Sequence, residues 1–285
     1  MSQTTIKTQS ETIIGRSLGG FYTSLFVPEY KSLFDVGTAF RIGASAKNLF
    51  LSHAHADHLG ALPSLLGMRG LMGVKTPLRV FLPIELSSDL PDLLDTFSKM
   101  HRWTFEVDLV PLSPGDVTHV HGDLWVRAIR TLHPVPSLGY VLFRRIKKLK
   151  VEYMELPGPE IGRLRRSGNE DMFNVIERKE FAYLTDTLPD VLLGNPDIFD
   201  VRTLVLECTF LNEKKSIQNA RAGCHIHLDE LLPFIGEFKN DSVVLMHFSQ
   251  LYSPDEVREI FDDRCPAEQR SRFQLLLPNS NQWWD

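Results

Sequence analysis

Short apolar runs broken by turn residues dominate this chain, and long amphipathic stretches are few. TSLFVPEY (23–30), SLFDVG (32–37) and KNLFLSHAHADH (47–58) read as strands bounded by Pro, Gly and charged residues, the last ending in a cluster of polar side chains. GALPSLLGMRGLMG (60–73) reads as a helix and turn, LRVFLP (78–83) as a buried strand, and SSDLPDLLDTFSKMH (87–101) as a helix opened by Ser or Asp caps. FEVDLVPL (105–112), DLWVRAIRTLH (123–133) and LGYVLFRR (138–145) continue the β series, followed by FAYLTDT (181–187), VRTLVLECTF (201–210) and SVVLMHFS (242–249). Helical segments such as CHIHLDELLPFIGEF (224–238) lie between the last strands. Two β-rich halves with outer helices predict sheets packed face to face and covered by helices. One segment breaks the pattern: residues 144–168, RRIKKLKVEYMELPGPEIGRLRRSG, are polar and turn-rich and predict an irregular excursion from the core.

The chain has 285 residues, enough for one large or two small domains, and no Gly-, Ser- or Pro-rich linker divides it, so one domain over 1–285 is expected. Hydrophobic residues at 43% and charged residues at 24% exclude a disordered or fibrous chain. No repeat of 20 to 50 residues is visible, which argues against solenoids and propellers. Three widely spaced cysteines make neither a disulfide framework nor a paired zinc knuckle and imply a reducing compartment. Without a secretory leader pattern or a long uncharged apolar run, a cytoplasmic protein with no membrane span is expected. The net charge of −5 gives no global attraction for nucleic acid, so any polyanion must be held by a local patch.

The most specific signal is His53-Ala54-His55-Ala56-Asp57-His58, directly after the apolar run LFLS. In extended chain His53 and His55 share a face, while Asp57 and His58 diverge toward a second position, so the spacing suits two divalent ions such as zinc or manganese. An isolated histidine of this kind is more often a plain surface group, but four such side chains in six residues make that reading poor. Further ligands are expected at the ends of later apolar strands: His133, Asp186 and His247, with Asp186 able to bridge two ions through its two oxygens.

The string SHAHADHLGALPSLL, preceded by LFDVG and followed by LHPVPSLGY, AYLTDT, ECTF, CHIHLDEL and MHFSQLYS, resembles the metallo-β-lactamase superfamily. Within it, the later motifs resemble ribonuclease Z, the endonuclease that trims the 3′ side of tRNA precursors, over about residues 13–252. The resemblance implies an αββα sandwich with two zinc ions at one edge. It implies that His53, His55 and His133 hold one ion, Asp57, His58 and His247 the other, and Asp186 both. Asp57 is also a candidate base. Glu207 and His225 match a pair that helps protonate the leaving oxygen; His227 competes for that role, and the spacing back from His247 favours His225.

Positive charge gathers in the irregular segment. Arg144, Arg145, Lys147, Lys148, Lys150, Arg163, Arg165 and Arg166 stand against Glu152, Glu155 and Glu160, a local balance of 8 − 3 = +5. Alone, such a segment reads as a solvated loop; in ribonuclease Z an arm at this place grips the tRNA body, and the brief insertion resembles the short plant form. The family also implies a homodimer in which one subunit's arm serves its partner's site. The rival readings are another hydrolase on the same platform, such as a small-molecule phosphodiesterase or an ester or lactone hydrolase, which needs no basic arm, and an idle RNA- or partner-binding module, which needs no intact ligand set. Among smaller signals, Asp35 and Gly37 fit a sharp turn at which Gly supplies positive φ and Asp bonds a ligand histidine. Ser137, Gly139 and Tyr140 are candidates for the substrate side, and Ser249 for a backbone bond. Trp283 and Trp284 are candidates to cover an apolar patch or a partner.

Overall fold

The computed structural model describes residues 3–167 and 170–284. The first sheet runs in sequence order through β1 (Thr4–Lys7), β2 (Thr12–Leu18), β3 (Tyr22–Val27), β4 (Ser32–Phe34), β5 (Asn48–Phe50), β6 (Leu78–Pro83) and β7 (Val107–Leu112). The second runs through β8 (Val117–His121), β9 (Leu124–Arg130), β10 (Leu138–Leu149), β11 (Phe173–Leu184), β12 (Thr203–Glu207), β13 (Ser242–Met246) and β14 (Phe273–Leu275). Each sheet begins antiparallel and turns parallel at its fourth strand. Both sheets are mixed, and helices cover their outer faces: the αββα sandwich.

Side-chain alternation explains the continuous apolar runs. In β12, Val205 points into the layer between the sheets while Leu204 and Leu206 point outward under the helices, so neither face needs polar residues. The middle layer contains Phe34, Phe50, Phe81, Tyr140, Phe181 and Tyr183, with Phe34, Phe50 and Phe81 stacked at 5.1 and 4.5 Å. Outside the first sheet lie α2 (Leu62–Leu71) and α3 (Asp89–His101), reached after the single turn α1 (Ala56–Leu59), burying Leu62, Leu65, Leu90 and Leu94.

Several elements differ from the sequence reading. The strands β1, β2, β8 and β14 are absent from the sequence reading: β1, β8 and β14 are edge strands, short or polar as in VTHVH, and in β2 (TIIGRSL) Gly15 and Arg16 interrupt the apolar run. The Ser88 side chain caps no backbone amide of α3. The helix expected over 224–238 shrinks to four residues, Leu228–Leu231, continued by a 3-10 turn (Leu232–Glu237), since Cys224 is left-handed and Pro233 has no N–H.

The largest correction concerns residues 144–168. They are regular: β10 continues to Leu149 and pairs with β11 in a long antiparallel hairpin, and Gly158–Arg166 forms a helix between them. The expected last arm residue, Gly168, lies outside the described residues. The alternation was hidden because the hairpin leaves the core and both faces meet water; even Val175 and Ile176 are exposed. A bulge marks the exit: the register jumps from Leu142↔Phe181 to Phe143↔Lys179, leaving Glu180 unpaired. That carboxylate is buried and faces Arg178 at 2.6 Å, Arg144 at 3.5 Å and Arg202 at 3.6 Å.

Candidate metal centre

Strand ends deliver the site. The segment after β5 leads through Ser52 into the His53–His58 turn; His133 follows β9, Asp186 follows β11 and His247 follows β13. Nε2 of His53 lies 3.0 Å from Nδ1 of His55, which lies 3.1 Å from Nε2 of His133. Oδ2 of Asp186 closes this group, 3.6 Å from His53 and 4.0 Å from His133. In the second group, Nε2 of His58 is 3.4 Å from Oδ2 of Asp57 and 3.4 Å from Oδ1 of Asp186. Nε2 of His247 completes it, 3.7 Å from the same Asp57 oxygen and 3.2 Å from the same Asp186 oxygen. All seven predicted candidates thus meet in two groups sharing Asp186.

Both groups fit a divalent cation. Ligands about 2.0–2.1 Å from a tetrahedral ion sit roughly 3.3 Å from one another, near the observed separations. The Nε2 atoms of His58 and His247 are buried without a hydrogen-bond partner, an arrangement that is costly unless a cation takes their lone pairs. Burial, reinforced by the nearby His58, pushes the His53 ring down to about 2, and burial takes His133 down to about 4, so both are neutral as ligands must be. Burial also works against a charged His58, but Asp186 and Asp35 outweigh it and hold that ring well above its usual range. For Asp57 and Asp186, burial raises the carboxyl and the facing His247 and His58 rings lower it more, leaving both ionised.

Supporting groups fix these side chains. Buried Asp35 accepts from the Ser52 amide (2.7 Å), Ser52 Oγ (2.8 Å), His58 Nδ1 (2.7 Å) and Tyr183 Oη (2.6 Å). Ser52 Oγ also bonds His53 Nδ1 at 2.9 Å, so one carboxylate orients a histidine in each group. The turn was foreseen, its glycine for the wrong reason: Asp35 carries the positive φ of 55°, whereas a Cβ on Gly37 would sit 1.7 Å from the Asp57 carbonyl oxygen. Asp186 (43°) and His247 (63°) are left-handed as well, strain of about 1 kcal/mol each held by the surrounding sheet ends. The Gly20 amide donates to Asp57 Oδ2 at 3.0 Å.

Beside His247, buried Glu207 accepts from the Thr187 amide (2.7 Å), Thr209 Oγ1 (2.5 Å) and the Ile226 amide (3.2 Å). It faces His225 Nδ1 at 3.2 Å; burial opposes a charged His225, but Glu207 raises the ring to about 9. His227 is spent on structure, since Nδ1 caps the short helix Leu228–Leu231 through the Asp229 amide and Nε2 bonds the Asn212 carbonyl.

The beta-lactamase superfamily domain matches residues 43–248. The chain is 34% identical to tRNase Z TRZ1 of Arabidopsis thaliana over 265 residues, spanning 92% of this chain and 94% of that protein. It belongs to the tRNase Z family. Against the chloroplastic tRNase Z TRZ2 of the same plant the identity is again 34%, over 89% of this chain and 72% of the relative. The fold alone is shared with the short form of human tRNase Z (17% identity, TM-score 0.53, 88% of this chain and 94% of that one) and with the metallo-beta-lactamase fold protein YhfI from Bacillus subtilis (13%, 0.60, 94% and 95%). As a tRNase Z family member with these clusters, the chain is a metal-dependent hydrolase of the ribonuclease Z type, its metal a divalent cation.

The basic residues of this tRNase Z family chain do not form one patch of available cations. Arg144 pairs with Asp123, Arg145 faces Glu177 at 3.4 Å and lies 4.0 Å over the Trp125 ring, and Arg163 pairs with Glu160 at 3.2 Å. Lys147, Lys148, Arg165 and Arg166 are exposed, and Lys150 is half-buried. Of the smaller signals, Tyr140 is fully buried and donates to the Leu51 carbonyl at 2.6 Å, Gly139 packs under Leu184, and Ser137 accepts from Thr131 Oγ1 at 2.6 Å, so Gly139 and Tyr140 belong to the core rather than the substrate side. The Ser249 amide bonds the Thr209 carbonyl and its Oγ accepts from the Leu251 amide. Sequence reasoning missed Thr209, whose Oγ1 also lies 3.0 Å from His247 Nδ1. Its only signal was its place two residues past Glu207 at a strand end.

Proposed function

We propose that this chain is a dizinc endoribonuclease that removes the 3′ trailer of precursor tRNA, leaving a 3′-hydroxyl. The observation that carries the reading is the pair of ligand groups sharing Asp186, in a chain alike to plant tRNase Z proteins over nine-tenths of its length. His53, His55 and His133 would hold one ion and Asp57, His58 and His247 the other, with Asp186 available to both groups. Such ions, when bound, make a water acidic enough to attack at neutral pH and offset charge on the phosphodiester; manganese can replace zinc.

The rest is done by side chains. Asp57 takes the proton released as the water oxygen bonds to phosphorus. The P–O3′ bond breaks, and the departing oxygen takes a proton from His225, which Glu207 keeps charged and aimed. The basic residues of the arm, Arg144, Arg145, Lys147, Lys148, Lys150, Arg163, Arg165 and Arg166, meet the tRNA phosphates, and the ion pairs of Arg144, Arg145 and Arg163 also stiffen the arm. A homodimer belongs to the same reading, supported by the exposed apolar side chains Leu71, Met72, Met100 and Trp103. So do a single domain, supported by the apolar layer shared by both sheets, and a reducing cytoplasmic compartment, supported by three free cysteines. Among the described residues no helix is long and apolar enough to cross a membrane.

The test is to incubate zinc-loaded protein with a precursor tRNA bearing a 3′ trailer, with and without chelator, and map the cut. Chelator-sensitive cleavage just after the nucleotide that precedes the CCA end is expected. Hydrolysis of small phosphodiesters with no cut in the RNA would overturn the RNA reading.

A further inference from the structure

We propose that Phe21 and Trp284 form a stacking platform for an unpaired nucleobase beside the scissile phosphate, an inference that rests on the endoribonuclease reading. The two rings meet edge to face at 4.8 Å, yet they stay 42% and 48% exposed. Large aromatics held side by side in water are unusual on a surface with no partner, and an aromatic face next to a nuclease centre suits bases of any identity.

The platform is joined to the metal centre from two sides. Gly20, whose amide donates to Asp57 Oδ2 at 3.0 Å, is the residue before Phe21. The preceding Gly19 amide bonds the carbonyl of Phe248, next to His247. Trp283 carries the second tie: its indole N–H donates to the Tyr252 carbonyl at 2.7 Å, in the loop that follows His247.

The rings are also pre-positioned. Tyr22 packs edge-on against Trp284 at 6.2 Å and donates its hydroxyl to the Trp283 carbonyl at 2.7 Å. Arg16 lies 4.6 Å over the Tyr22 ring and donates to the same carbonyl at 3.1 Å. This buried support orders Trp284 before any base arrives, which lowers the entropy lost on binding. The specificity expected is for single-stranded RNA at the cut, as a base inside a duplex has both faces covered by its neighbours.

The experiment uses zinc-loaded full-length protein with a short oligouridylate made cleavage-resistant by phosphorothioate linkages, and the same strand carrying abasic positions. Binding of the intact strand should quench tryptophan emission, Trp284→Phe should remove most of that quenching, and the combined Phe21→Ala and Trp284→Ala variant should bind about tenfold more weakly or worse. The abasic strand should bind wild-type protein as weakly as the intact strand binds that variant. Zinc-loaded variants should hydrolyse a small phosphodiester at the wild-type rate, which also shows them folded. Equal RNA affinity in wild type and double variant overturns the proposal. Equal affinity together with lost self-association in sedimentation assigns the platform to a second copy of the chain instead. If wild-type protein leaves precursor tRNA uncut but the oligouridylate still quenches Trp284, the cleavage reading fails and the platform stands.

Discussion

Asp35→Asn tests how much of the metal centre is held from outside it. Asn keeps the volume and tolerates the left-handed backbone at this position, so the change isolates the charge. In the wild type Oδ1 accepts one bond, and Oδ2 accepts from Ser52 Oγ, His58 Nδ1 and Tyr183. However the amide turns, its NH2 meets a donor. At least one contact is lost outright, about 1–3 kcal/mol, and the others weaken from charge-assisted to neutral, so metal-free stability should fall by about 3 kcal/mol. His58 also loses the acceptor that keeps its proton on Nδ1 and its Nε2 free. Zinc affinity should therefore drop about 10–100-fold, or roughly 1.4–2.7 kcal/mol. Competition against a chromogenic chelator measures the affinity, and urea unfolding of metal-free protein the stability. Reduced stability with unchanged zinc affinity would refute the orienting role and leave Asp35 a core residue.

Glu207→Gln should leave zinc content intact and slow cleavage of precursor tRNA about tenfold or more, while a nitrophenyl phosphodiester, whose leaving oxygen needs no proton, should be spared; equal loss on both substrates would contradict the proton-delivery role. Gly37→Ala forces Asp57 aside, so zinc binding to the second group should weaken even if the chain folds, read by metal content after dialysis. In metal-free protein, His53 and His133, lowered to about 2 and about 4, leave the unfolded chain binding more protons below about 6.5. Stability should thus fall as pH drops from about 6.5 toward 4, whereas the raised His58 is protonated in both states there and adds no slope; a flat unfolding midpoint across that window would contradict it. Glu180→Ala leaves three arginines facing each other at the root of the hairpin and should cost about 2 kcal/mol, raise KM for precursor tRNA and speed proteolysis of the arm, with small-substrate turnover unchanged.

The site was legible to the degree that its chemistry needs particular side chains at strand ends. Imidazoles and carboxylates capping apolar runs are visible without knowing how the runs pair, which is why His133, Asp186 and His247 were found far from the HAHADH string. The supporting groups were harder. Thr209 and the Gly20 amide act through contacts that only pairing creates, and neither residue type is unusual in a loop. The hairpin was misread for a related reason: alternation signals a strand only where one face is buried, and residues 144–149 rise beyond the core. Short polar edges such as β8 failed on the same ground.

Each ligand group draws on both sheets. His53 and His55 from the first meet His133 and Asp186 from the second, and Asp57 and His58 meet Asp186 and His247 in the same way. A cation seated there acts as a clasp across the seam of the sandwich, so stripping the metal relaxes the mating of two separately threaded layers along with the chemistry. A chain nicked in the connection between β7 and β8, its halves still joined by the shared apolar layer, should then hold together more tightly with its ions than without them.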